Sequence, residues 1–154
     1  MLDALSRAQS AAGMLQSAVA GTSIDWTMLA AIGLRESAFQ DKNENDGAGV
    51  GVGVFQITVR NNNQDPANGP TVDQANDFTW AASYAAQLLN SNMNYLSGRF
   101  PDFSPEQLMQ ATAASHNMNP YKRGNFTGNP NRIDVGTTGG NYGYNVLQLM
   151  NCFN

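Results

Sequence analysis

Two carboxylates set the chemical question. Glu36 stands in "IGLRESAFQ", residues 32–40, and Asp46 follows in "DKNENDGAG", residues 41–49. Leu29, Ile32 and Glu36 recur at steps of three and four, so on a helix they share one face. Glu36 therefore continues an apolar stripe that points into the protein, where an acid must be paired, protonated or functional. Glycosidic-bond cleavage uses an unequal pair of this kind. One acid stays protonated and donates to the leaving oxygen, while a better solvated carboxylate positions water or faces the cationic transition state. Partial burial supplies the first, lifting a glutamate from a reference pKa of about 4.3 towards roughly 6. The competing reading is a buried salt bridge, but Arg35 is too near in sequence to share the helical face of Glu36. Glu36 is thus the candidate general acid, and Asp46, on a polar loop, its candidate partner.

Other chemistries fit the residues less well. Gly47, Gly49, Gly51 and Gly53 alternate strictly, which is not the G-x-G-x-x-G spacing of a dinucleotide site. Asp41, Asn43 and Asn45 begin like a calcium loop, but Asp46 occupies the glycine position and Val52 the position of the closing glutamate. The single His116 and single Cys152 cannot build a zinc cluster, so neither a metal site nor a cofactor is expected. No serine lies in a nucleophile elbow, so His116 reads as a hydrogen-bonded cleft or core histidine rather than a base for one.

The elements that must hold these groups are mostly helical. An Ala-rich helix is predicted over residues 3–19, ended by "GTS". Asp25 is the predicted N-cap of a helix from Trp26 to about Phe39. Residues 41–53 form a polar loop running into glycines, and "GVGVFQIT" reads as a short strand or hairpin arm. "NNNQDPANGP" is a loop. A long helix is expected from about Asn76 to Ser97, with Trp80, Tyr84 and Leu88 as its stripe and Gly98 as its stop. "SPEQ" at 104–107 combines an N-cap serine, a first-turn proline and a capping-box glutamine. The helix that it starts runs to about His116. A loop over 117–141 precedes a last helix in "YGYNVLQLM".

Composition narrows the class. A chain of 154 residues with 42% hydrophobic and 13% charged residues suits one globular domain. The net charge of −4 and only eight basic residues argue against a nucleic-acid partner, which needs clustered cations to replace counterions. No apolar run is long enough to insert in a membrane. The first 21 residues carry Asp3 and an interrupted apolar pattern, so they do not read as a signal peptide.

The ordered motifs "LRESAF", a glycine-rich turn, "GVFQIT", "AASHNMN" and "GGNYGYNVLQLM" resemble those of goose-type lysozymes and soluble lytic transglycosylases, over about residues 24–150. The resemblance implies a mainly α-helical, lysozyme-like (α+β) domain with a short β element beside the cleft. It makes residues 23–154 the catalytic domain and residues 1–22 a helical extension. It implies bacterial peptidoglycan as the substrate, cut between N-acetylmuramic acid and N-acetylglucosamine, with Glu36 as acid. Ser37, Phe55, Gln56, His116, Asn117 and Tyr142 would then be the sugar-binding residues. Three positions depart from the pattern: His116 replaces the usual Tyr, Asn119 a common Gly, and Thr58 an aspartate frequent in the goose type. Asp46 matches that group's other aspartate. Hydrolysis by a muramidase is the expected reaction. The alternatives are a transglycosylase in which Glu36 works alone, giving 1,6-anhydromuramic acid products, and a non-catalytic wall-binding module. Work in the periplasm or cell wall without a leader implies delivery by a secretion system or phage, or a fragment of a larger protein. If that protein is an antibacterial toxin, an immunity protein is a further expected partner.

Overall fold

The computed structural model describes residues 2–45 and 50–154. Among them are seven α-helices and a three-stranded antiparallel sheet in the order β1-β2-β3. The mainly helical expectation with a small β element holds.

The predicted first helix is two: α1, Leu2–Ser10, and α2, Ala12–Val19, meeting at Ala11. Ala8, Ala11 and Leu15 enter the main core, so these helices share that core with the rest of the fold. The third helix, α3, spans Trp26–Ser37, and the Asp25 carboxylate caps it by accepting from Thr27 N at 2.8 Å. Met28 to Gly33 are all buried, which makes α3 the central helix. It stops two residues before the predicted end because Ala38 and Phe39 both take left-handed backbone angles, with φ of 53° and 59°. Few non-glycine residues adopt that region. Arg7 of α1 secures the turn, donating from Nε to the Phe39 carbonyl at 3.1 Å and from Nη2 to the Ala38 carbonyl at 2.9 Å.

The strands are β1, Asn43–Asn45, β2, Val50–Val52, and β3, Ile57–Val59. The hairpin predicted from "GVGVFQIT" is β2–β3, with Val52 opposite Ile57. The first strand falls where a polar loop was expected; "NEN" has no strand propensity of its own and is held by pairing with β2. Gly53 makes the turn possible. Its φ is +76°, and a Cβ there would lie 2.2 Å from the Ala75 carbonyl oxygen.

The predicted long helix is α5, Phe78–Arg99, started by the Asp77 side chain, which accepts from Trp80 N; a short helix not predicted, α4, Val72–Asn76, precedes it. The buried face of α5 is not the predicted Trp80–Tyr84–Leu88 stripe. Ala81, Ala82, Ala85, Ala86 and Leu89 face inward, and Leu88 is exposed. Small side chains let helices approach closely, and α5 packs against both α2 and α6. The capping box at 104–107 is complete, and α6 covers Pro105–Ala114. Residues 117–141 are irregular but anchored: Met118, Phe126 and Ile133 join Leu96, Ala111 and Ala114 in a second small core. The last helix, α7, is Tyr142–Met150. Among the described residues no helix is long and apolar enough to cross a membrane.

Candidate active site

Glu36 lies in the last turn of α3, half-buried, on the face that Leu29 and Ile32 bury completely. It opens into a cavity of about 500 Å³ whose wall also includes Arg35, Gln56, His116, Asn117 and Tyr142. Five residues proposed from sequence, spread from position 36 to 142, therefore meet in one place.

Tyr142 gives Glu36 its fixed orientation. The phenol is 2% exposed and donates its hydrogen to Oε1 of Glu36. Its pKa stands well above the ordinary value of 10.0, pushed up by burial, by the charge of Glu36 and by the hydrogen bond to it, against a smaller opposing pull from Arg35. The hydroxyl is therefore a permanent donor at any working pH. That leaves Oε2 of Glu36 to face the cavity. The guanidinium of Arg35 lies 4.7 Å over the centre of the Tyr142 ring.

The placement of Tyr142 rests on Asp134, a residue with no local signal in the sequence. Its carboxylate accepts from Gly143 N at 2.6 Å and Tyr144 N at 3.0 Å, satisfying free amides in the first turn of α7. Gln110 of α6 donates to the same carboxylate at 2.8 Å. Gly143 then permits close contact with α6, since a Cβ there would meet the Gln110 carbonyl oxygen at 2.3 Å.

Gln56 closes the β2–β3 turn. Its side-chain amide donates to the carbonyls of Lys42 at 2.9 Å and Gly53 at 2.8 Å, so the side chain is locked into the cavity wall. His116 follows the end of α6, and its Nε2 is 2.9 Å from the Phe55 carbonyl. A carbonyl only accepts, so Nε2 carries the hydrogen, while Nδ1 is buried and unpartnered among the described residues. Asn117 grips the opposite rim: its Nδ2 donates to Thr138 Oγ1 at 3.1 Å and its Oδ1 accepts from Thr138 N at 2.8 Å. Beyond Gln56 and His116 the cavity continues into a recess of about 130 Å³ beside Tyr84 and Leu88. Leu88 and Tyr84 thus border the cleft, and Tyr84 also packs against the main core.

Two residues expected to bind sugar face inward. Ser37 is 1% exposed; its hydroxyl donates to the carbonyls of Gly33 and Val54 and accepts from Gln40 N, tying the end of α3 to the hairpin. Phe55 is fully buried against Phe78, and only its carbonyl serves the site, through His116. Both hold the frame rather than line the cavity. Asp46 lies outside the described residues, as do Gly47 and Gly49 of the glycine run.

A helical domain with a small sheet, a cleft between them and a glutamate at the end of its central helix defines the lysozyme-like class of peptidoglycan-acting enzymes. The Transglycosylase SLT domain family matches residues 13–114, two thirds of the chain, and the chain belongs to that family. No curated protein sequence matches it. Its substrate is peptidoglycan, which lies in the cell wall.

Proposed function

We propose that the chain cleaves the β-1,4 bond between N-acetylmuramic acid and N-acetylglucosamine by intramolecular transglycosylation, with Glu36 as the only acid–base residue. The observation that carries the reading is the Tyr142–Glu36 hydrogen bond, which holds one carboxyl oxygen and leaves the other free in the cavity. Oε2 of Glu36 gives its proton to the glycosidic oxygen as the bond to the muramic anomeric carbon breaks. The resulting carboxylate takes the proton of the muramic 6-hydroxyl, whose oxygen closes onto the same carbon. Acid and base are one group, in the same place, at successive steps. The family match supports cleavage of peptidoglycan glycan strands, the reaction class that this reading refines.

Gln56, His116 and Asn117 contact the sugar from three sides of the cavity, and Ser37 and Phe55 act through the backbone they fix. On this reading residues 23–154 carry the catalytic groups, while the helices of residues 1–22 contribute to the same core and brace the end of α3 through Arg7.

Hydrolysis is the second reading. It is favoured by Asp46, an acid in the segment between β1 and the cavity-lining hairpin, positioned by sequence to activate water. The two reactions differ in product mass by one water. Mass spectrometry of the fragments first released from purified sacculi decides: anhydro-terminated muropeptides support transglycosylation, and reducing muramic acid overturns it in favour of hydrolysis.

A further inference from the structure

Arg35 is the cation that this reaction does not use. It lines the cavity beside Glu36, yet among the described residues only one of its five N–H groups has an acceptor, the Thr138 carbonyl at 3.2 Å from Nη2. Nε is buried without a partner, and no described carboxylate pairs with the guanidinium. The face over Tyr142 supplies a cation–π contact, which stabilises the charge but accepts no hydrogen bond in the guanidinium plane. Only Nε is buried; the rest of this half-buried guanidinium is open to solvent or a ligand in the cavity, and its planar fork matches a carboxylate. Apart from Glu36, the rest of the described cavity wall has no carboxylate and no second guanidinium or ammonium group, and it is polar, with Gln56, Thr58, His116 and Asn117 among its residues.

We propose that Arg35 is a specificity-determining residue that binds the lactyl carboxylate of a muramic acid from which the peptide has been removed. The inference rests on the glycan-cleavage reading above. That reading puts the anomeric carbon of a muramic ring at Glu36, and the same ring carries the lactyl group. Arg35 is the next residue on α3 and opens into the same cavity. When a peptide stem is attached, the lactyl carboxyl is a neutral amide and offers Arg35 only a carbonyl oxygen. The free carboxylate offers two charged acceptors. The domain is thus tuned to peptide-free glycan strands over peptide-bearing ones.

Calorimetric binding to the uncleaving Glu36→Gln protein tests this, with three ligands of equal length. These are a peptide-free glycan strand, a peptide-bearing strand and a chitin oligosaccharide, which has no lactyl group. The peptide-free strand is expected to bind about tenfold or more tightly than the chitin oligosaccharide, the scale of one charge-assisted hydrogen bond. Adding Arg35→Gln removes that advantage while leaving chitin binding within about twofold, and Arg35→Lys keeps part of it. Equal weakening of all three ligands by Arg35→Gln overturns the proposal and makes Arg35 a buttress for Tyr142. An Arg35-dependent advantage that is as large for the peptide-bearing strand also overturns it, since stem carboxylates are then the anion. If none of the three ligands binds the folded protein and the unsubstituted chain releases nothing from sacculi, the cleavage reading falls together with this one.

Discussion

Tyr142 donates its phenolic hydrogen to Glu36 across 106 residues of sequence, joining the first residue of α7 to the last turn of the central helix. This bond fixes which oxygen of Glu36 faces the cavity. Removing the hydroxyl with Tyr142→Phe keeps the ring under Arg35 but frees the carboxyl group to rotate. We expect kcat on sacculi to fall by roughly tenfold to a hundredfold, with KM little changed, because misorientation of an acid acts in the transition state.

The same phenol makes stability depend on pH at the alkaline end. Its folded-state pKa is raised above the ordinary 10.0 by burial first, then by the charge of Glu36 and the hydrogen bond to it. Below pH 10 both folded and unfolded chains keep the proton, and the contribution is fully present. Above pH 10 the unfolded chain releases it while the folded chain holds it, so stability falls as pH rises until the folded phenol also ionises. Urea unfolding between pH 8 and 11 should show this fall, and Tyr142→Phe should flatten part of it (pH range set by the reference tyrosine value of about 10).

Asp134 is the second-longest lever on the site. Asp134→Ala removes the acceptor for two α7 amides and for Gln110, leaving buried donors unsatisfied. Each lost charge-assisted bond is worth about 1.5–3 kcal/mol, so the loss of stability should reach several kcal/mol. Asp134→Asn keeps one acceptor oxygen and should lose less. Chemical denaturation orders the two variants.

Arg7 braces the turn that follows the helix of Glu36. Its two bonds hold the left-handed turn at Ala38 and Phe39, immediately beyond the last turn of α3. Arg7→Ala should cost only about 1 kcal/mol of stability, since the side chain is half-buried and partly solvated. Its kcat should fall further than that change explains. A kcat equal to that of the unsubstituted chain would confine Arg7 to surface packing.

Tyr84 flanks the recess that extends the cavity past Gln56 and His116. Tyr84→Ala should raise KM several-fold for long glycan strands, roughly the effect of one lost apolar contact, while sparing kcat. Short oligosaccharides, which do not reach the recess, should be unaffected.

What was legible in the sequence was local. Asp25, Ser104 and Gln107 announce helix starts because a cap is satisfied within three residues, and each does so here. The inward stripe of α3 was legible because Leu29, Ile32 and Glu36 repeat at helical spacing. The ordered motifs brought Gln56, His116, Asn117 and Tyr142 to one cavity with Glu36. The same motifs carried Ser37 and Phe55 along as sugar contacts, although one hydroxyl and one ring point into the protein; a motif records that a position matters, not which way its side chain faces. Trp80, Tyr84 and Leu88 marked the long helix by their four-residue steps, but not its fully buried face, which lies beside them and includes four alanines and Leu89. Asp134 and Arg7 had no readable signal, since each works on backbone groups that only the folded chain brings near.

The central claim is that Glu36 is the proton donor, and one substitution tests it most directly. Glu36→Gln keeps the shape and the acceptor for Tyr142 but has no carboxylic proton to give. Incubated with purified sacculi, the variant should release muropeptides at least about a hundredfold more slowly, the scale of general-acid removal, while circular dichroism and glycan binding stay unchanged. Release at a rate near that of the unsubstituted chain would contradict the account and move the acid elsewhere.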